Sequence, residues 1–290
     1  MTPQEFYVQQ STITDPGTHT ALFDAIPDDI ESICQASRNV LNHYIGDPRY
    51  KPAKERWGDL DTRYVSKIVD RVLELDDSPL TEARSDENRF VGCCRDFTAL
   101  TVSIMRHKSI PARSRYGTAV YFEEGYYWDH VIVEYWNGGR WIPVDAQLSH
   151  EDRDWGFDIR DVPRDQFLVA GKGWQLVRDE KFDAAKFGLG SIRGGLEFIV
   201  TEMMLDIAAL NQEEHLCWEC WGYSDQFYNT YTEEDYAFLD EVAAITQDYA
   251  AFEQWRELFK HPKLALPAQV NSFSPAADPA QYPIKVQLVK

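Results

Sequence analysis

The stretch Gly92-Cys93-Cys94-Arg95-Asp96-Phe97-Thr98-Ala99-Leu100 opens an apolar periodicity, carried on by Thr101, Ile104 and Met105, that must stop before Pro111. It predicts an amphipathic helix with a cysteine at its mouth. Unpaired backbone N–H groups and the positive end of the helix dipole favour an anion there, so a thiol at Cys94 is drawn toward thiolate. The same N–H groups can hold a developing oxyanion. A bland reading stands beside this one: adjacent cysteines are commonly small buried hydrophobes. The residues beyond the helix decide between them.

Three β-rich segments come next: Ala112 to Tyr121, Trp128 to Trp136 and Arg140 to Val144, with Asn137-Gly138-Gly139 as a hairpin turn between the last two. Counting the hairpin gives a test of partnership. A two- or four-residue loop places Ile132 opposite Asp145 and makes His130 the diagonal neighbour of Asp145 on one face, with Cα atoms roughly 7–8 Å apart. A three-residue loop turns Asp145 to the other face. In the first register Asp145 can fix the tautomer of His130 while the other ring nitrogen faces a thiol. Asp129 is a poorer orienter, because neighbouring strand residues point apart. Taken singly, His130 reads as a satisfied strand histidine and Asp145 as a turn residue. Arg113, Arg115, Trp128 and Glu134 lie on the same strands. Trp128 and Arg113 are the expected substrate contacts, although strand-edge arginines are as a rule solvated.

Working outward, Asp28-Asp-Ile-Glu31 starts a helix in which Ile30, Ile33, Ala36, Val40, Leu41 and Tyr44 keep a helical spacing as far as Gly46. Asp61 to Leu75 repeats the pattern, and a polar loop leads on to the cysteines. After the strands, Leu196 to Leu210 and Thr232 to Leu258 read as long helices, the second opened by the capping box Thr232-Glu-Glu-Asp235. The expectation is an α+β fold: a helical N-terminal part, a central helix packed on an antiparallel sheet, and additional C-terminal helices. No linker separates domains, so residues 1–260 are expected to form one domain, helical over 20–80, catalytic over 88–148 and helical again over 190–260. The proline-containing tail 261–290 is expected to be an extended strap or loosely ordered.

Of the 290 residues, 44% are hydrophobic and 13% aromatic, enough for a substantial core. The formal charge of -19 repels phosphate backbones, so nucleic acid is not an expected partner. There is no secretory signal pattern and no apolar run of membrane-spanning length. An odd count of five cysteines fits reduced thiols better than a disulfide framework, so the expected setting is cytoplasmic, with no membrane partner. Oligomeric state is not legible in the sequence.

His215-Leu-Cys217-Trp-Glu-Cys220 is the other motif with possible chemistry. A single Cys-x-x-Cys lacks the second pair that zinc needs, and it sits between helices rather than in a thioredoxin-like strand-helix turn. Packing cysteines are the expectation, with no metal and no cofactor. Gly171 to Trp174, with Trp218, Trp221 and Tyr223, read as loops able to line a cleft, although such aromatics more often pack in a core.

Gly92-Cys93-Cys94-Arg95-Asp96, then Ile110-Pro111-Ala112-Arg113, then His130 to Glu134, then Trp141-Ile-Pro-Val-Asp145 resemble the core signature of the transglutaminase-like superfamily. That signature is Gly-x-Cys-x-Asp, Gly-Ile-Pro-Ala-Arg, His-Ala-Trp-x-Glu and Trp-x-x-Asp, in this order. The resemblance implies a papain-like core with Cys94 as nucleophile, His130 as base and Asp145 as orienter. Ser109 stands where the pattern has glycine, and Val131-Ile132 stand in place of Ala-Trp, which changes the wall beside the base. The segment from Asp158 to Gly222 looks similar to a little-characterised bacterial group within the superfamily, and that likeness supplies no substrate. The implied activity is cysteine-dependent acyl transfer from an amide or related carbonyl of a peptide, protein or small molecule, to water or to an amine. The alternative is a non-catalytic binding or scaffold protein that keeps the fold.

Overall fold

The computed structural model describes residues 1–46, 50–190, 193–225 and 231–288. Its elements in chain order are α1 Pro3–Tyr7, α2 Thr20–Asp24, α3 Ile30–Val40, β1 Leu41–His43, α4 Val65–Leu75, β2 Phe90–Gly92, α5 Cys94–His107, β3 Ala112–Ala119, β4 Tyr127–Trp136 and β5 Trp141–Val144. Then come β6 Phe167–Val169, α6 Ala170–Arg178, β7 Phe187–Gly188, α7 Leu196–Leu210, β8 Glu219–Cys220, α8 Glu233–Gln247, α9 Phe252–Leu258, β9 Gln269–Ser272 and β10 Ile284–Gln287. The architecture is α+β. The chain divides into two compact units: Met1–Ser114 with Ile132–Val162 and Phe273–Tyr282, and Arg115–Val131 with Pro163–Ser272 and Pro283–Lys290. Neither unit is continuous in sequence. No linker marks their border, which is why composition offers only a single domain over 1–260.

In the first unit, the buried faces of α3 (Ile33, Ala36, Val40), α4 (Ile68, Val69, Val72) and α5 (Leu100, Ile104) share a core with Val133, Ile142 and Val144 of β4 and β5. The α5 helix is thus packed on the hairpin, as its periodicity predicts. The α3 helix stops at Val40, short of the expected Gly46, because Leu41–His43 pairs in parallel with Phe90–Gly92. Apolar spacing alone does not separate a buried strand from one more helical turn. The consequence is local: β2 delivers the chain straight into Cys93 and α5.

The C-terminus of α5 closes with Ser109 N–H donating to the Arg106 carbonyl (3.0 Å) and Ile110 N–H to that of Met105 (2.9 Å). This double closure needs a left-handed residue, and Ser109 has φ +62°. A residue with a Cβ is strained there by about 1–2 kcal/mol. Ser109→Gly is therefore expected to stabilise the protein by about 1 kcal/mol, net of glycine's larger unfolded entropy, and to raise the thermal midpoint by ~2–4 °C. An unchanged or lowered midpoint would show that this helix end carries no strain.

In the second unit, the glycines of Ala170-Gly-Lys-Gly-Trp174 belong to α6, where the sequence reads as a loop. Gly171 lets α6 lie against α8: a Cβ on it would sit 2.6 Å from Thr246 Oγ1 and 2.7 Å from the Ala243 carbonyl. Trp174 is fully buried and donates to Asp240 (2.7 Å). The long helix expected over 232–258 breaks between Gln247 and Phe252, although the predicted box at Thr232 and Asp235 caps α8. In the tail, expected to be an extended strap or loosely ordered, Gln269–Ser272 and Ile284–Gln287 are extended strands. β10 pairs antiparallel with β9, and β9 with β8, so ladder hydrogen bonds hold it.

The larger sheet has strand order β5-β4-β3-β6, with β7 beside the start of β4. β4–β5 and β3–β6 are antiparallel and β4–β7 is parallel. Among the described residues, no helix is long and apolar enough to cross a membrane.

Candidate active site

Cys93 is the N-cap of α5, in extended backbone, and Cys94 is the first helical residue; both are buried. The end of the helix is built by Asp96. Its Oδ2 accepts the Cys93 N–H (2.8 Å) and its Oδ1 accepts from the Arg95 guanidinium (3.0 Å), which also donates to the Arg63 carbonyl. Burial pushes the Asp96 carboxyl up to about 8, with the neighbouring Cys93 adding to the rise and Arg95 opposing it. A Cβ on Gly92 would meet Asp96 Oδ2 at 2.8 Å. The spacing Gly-x-Cys-x-Asp is thus a capping device. Glycine leaves room for the carboxyl group, the carboxyl caps the residue between, and the cysteine opens the helix at its positive end.

The hairpin has the register that a four-residue loop requires. Val133 pairs with Val144, Glu134 with Pro143, Tyr135 with Ile142 and Trp136 with Trp141. Asn137 Oδ1 closes the loop by accepting from the N–H groups of Gly139 and Arg140. Asp145 lies one residue past the end of this ladder. Its N–H donates to the Ile159 carbonyl (2.9 Å) rather than across the hairpin, and its Oδ1 accepts the Gln147 N–H (3.0 Å). Only 1% of it is exposed.

His130 lies on the part of β4 that belongs to the second unit, 2% exposed. Its ring meets Phe122, Tyr121 and Phe167 edge-on, at centroid distances of 5.0, 6.2 and 6.5 Å. The structure therefore sets Cys94 and Asp145 in the first unit and His130 in the second, each buried and each held in a defined local frame.

Arg113 does not match its expected place. It is wholly buried, its Nε and one terminal nitrogen donate to Glu134 Oε2 (3.0 and 2.8 Å), and its guanidinium lies 4.1 Å from the Trp141 ring centroid. A buried ion pair with an aromatic lid takes up the side chain expected to contact substrate, because β3 is buried along its whole length. Arg115 is equally buried and grips Asp206 through two bonds of 2.9 Å. Trp128 is half-buried; its indole donates to Glu123 (3.1 Å) and its ring tilts against Tyr126.

In the Cys217–Cys220 segment Cys220 is buried and Cys217 is half-buried. Trp218, Trp221 and Tyr223 are buried, and Trp221 donates to the Leu264 carbonyl. His215 Nδ1 meets Glu219 at 2.9 Å. None of the five cysteines is in a disulfide. Burial pushes the Cys34 thiol up to about 12 and raises that of Cys220. Sequence reasoning missed Asp206 and Glu202, for which the signal was two acids one turn apart in the otherwise apolar run of α7.

Residues 76–146 match the model of the transglutaminase-like superfamily core, the stretch that holds α5, the hairpin, Cys94, His130 and Asp145. No curated protein matches the chain. A solved structure named as a "Putative Cysteine Protease from Cytophaga hutchinsonii" is 19% identical, with a TM-score of 0.33 over 56% of this chain and 44% of its own. The chain thus spans less than half the length of that protein.

Proposed function

We propose, from the transglutaminase-like core over residues 76–146, that the chain is a thiol enzyme of acyl transfer, with Cys94 as nucleophile, His130 as base and Asp145 as the group that orients it. The observation that supports this most is the position of Cys94 as first residue of a helix whose N-terminus is capped by Asp96 and cleared by Gly92. His130 takes the thiol proton as Cys94 Sγ adds to the carbonyl carbon of an amide. The oxyanion is met by backbone N–H groups at the start of α5. Collapse expels the amine, which receives the proton held on His130, and leaves a thioester. Water or a second amine then adds to the thioester with His130 again as base, and Cys94 departs and is reprotonated. Peptide, protein and small amides all fit this cycle. Five cysteines outside disulfides suit a reducing, cytoplasmic setting.

Alkylation separates this reading from that of a non-catalytic binding protein. With iodoacetamide at neutral pH, Cys94 is expected to react at least about tenfold faster than a free thiol, read by peptide mapping. Cys34 and Cys220, with thiols raised by burial, are the slow internal controls. If no cysteine exceeds the rate of a free thiol, the binding reading takes over.

A further inference from the structure

The second unit holds a carboxyl group that the proposed reaction does not use. Glu202, on α7, is 1% exposed, and neither of its oxygens has a hydrogen-bond partner among the described residues. It borders a void lined by Phe187, Phe198, Ile199 and the Thr118 hydroxyl, which is likewise without a partner there, and the void has no room for a water molecule. A carboxylate cannot be solvated in such a place, and an isolated buried charge is driven to neutralise. Its charged surroundings reinforce this. Asp129 of β4 and Asp206 of its own helix repel a negative charge on Glu202, Asp206 is already engaged by Arg115, and Arg193 is the cation that opposes them.

We propose that Glu202 is a buried carboxylic acid that keeps its proton at neutral pH, and that loss of this proton loosens the second unit, giving the fold an alkaline-sensitive switch. Asp129 directly precedes His130, so the repulsion on ionisation falls on the strand that carries the proposed base. The inference does not depend on Cys94 being a nucleophile.

Proton counting gives the sign of the pH dependence. Above about pH 4.3 the unfolded chain has lost this proton. The folded chain retains it until its own, raised, value is reached. Folding therefore takes up a proton in that window, and stability falls as pH rises through it. Glutamine keeps the shape and carries no such proton.

The test is the thermal midpoint of the full chain between pH 5 and pH 9 for wild type, Glu202→Gln and Glu202→Met. Both variants are expected to fold, and their midpoints to gain on wild type by roughly 2–4 °C per pH unit until Glu202 ionises. A gap that stays constant with pH would overturn the proposal, as would failure of both variants to fold at neutral pH. So would a midpoint raised by calcium chloride in wild type and not in Glu202→Gln, which would make the group a cation ligand instead.

Discussion

Cys94→Ala is expected to lower turnover of an amide substrate by about 10³–10⁶-fold, while Cys93→Ala keeps most of it. The asymmetry comes from the helix. Cys94 is the first residue of α5, where the dipole and the backbone N–H groups act on its sulfur, whereas Cys93 is the cap in extended backbone whose N–H is already given to Asp96. The thermal midpoint of Cys94→Ala should move by only a few degrees, because the change removes a single sulfur atom and leaves the Asp96 cap on the Cys93 N–H in place. A double variant, Cys94→Ala with His130→Ala, should be no slower than Cys94→Ala alone, since residues acting as one unit are not additive. Initial rates of amine release, with and without an added primary amine, give both comparisons. A fully active Cys94→Ala would remove the proposed nucleophile.

Asp206→Ala is expected to be the most destabilising single change in the second unit. Asp206 is fully buried, receives two bonds of 2.9 Å from Arg115, and also accepts the Tyr116 N–H at 3.0 Å. Alanine leaves a buried guanidinium without its counter-charge and a strand N–H without its acceptor. Removing one member of a buried pair costs about 3–5 kcal/mol, and the orphaned N–H adds about 1–3 kcal/mol. The loss approaches the whole stability of many domains, so the thermal midpoint should fall by more than ~10 °C or the protein should fail to accumulate folded. Asp206→Asn keeps an acceptor for Tyr116 and should lose less. Equal midpoints for wild type and Asp206→Ala would mean that the α7–β3 tie is not a source of stability.

The parts of the fold that rest on one dominant local signal were legible. The α5 helix starts at Cys94 because the apolar period begins there, and Asn137-Gly138-Gly139 marks the hairpin turn, although the four-residue loop and its register are fixed only by the pairing of β4 with β5. The features that stayed hidden depend on partners far away in sequence. The β1–β2 pair is one example, since Leu41–His43 continues a helical spacing and becomes a strand only because Phe90–Gly92 lies beside it. The helix at Gly171 is another, where glycine serves close approach to α8 rather than a turn. Arg113 and Arg115 looked solvated because a strand sequence does not say how much of it the rest of the chain covers, and β3 is buried throughout. Their counter-charges, Glu134 and Asp206, lie 21 and 91 residues further along the chain. For the candidate site, residue types and order were readable from sequence. The device that frames the cysteine, an Asp96 carboxyl group fitted over Gly92, needed coordinates.

The most direct test of Cys94 as nucleophile is to mix the protein with an amide or activated ester substrate, quench with acid, and map the adduct by mass spectrometry. The expected result is the mass of the acyl group on Cys94 in the peptide that holds Cys93 and Cys94, discharged by an added amine and absent from Cys94→Ala. An acyl group found on Cys93 or Cys217 instead, or product formed by Cys94→Ala at the wild-type rate, would contradict it.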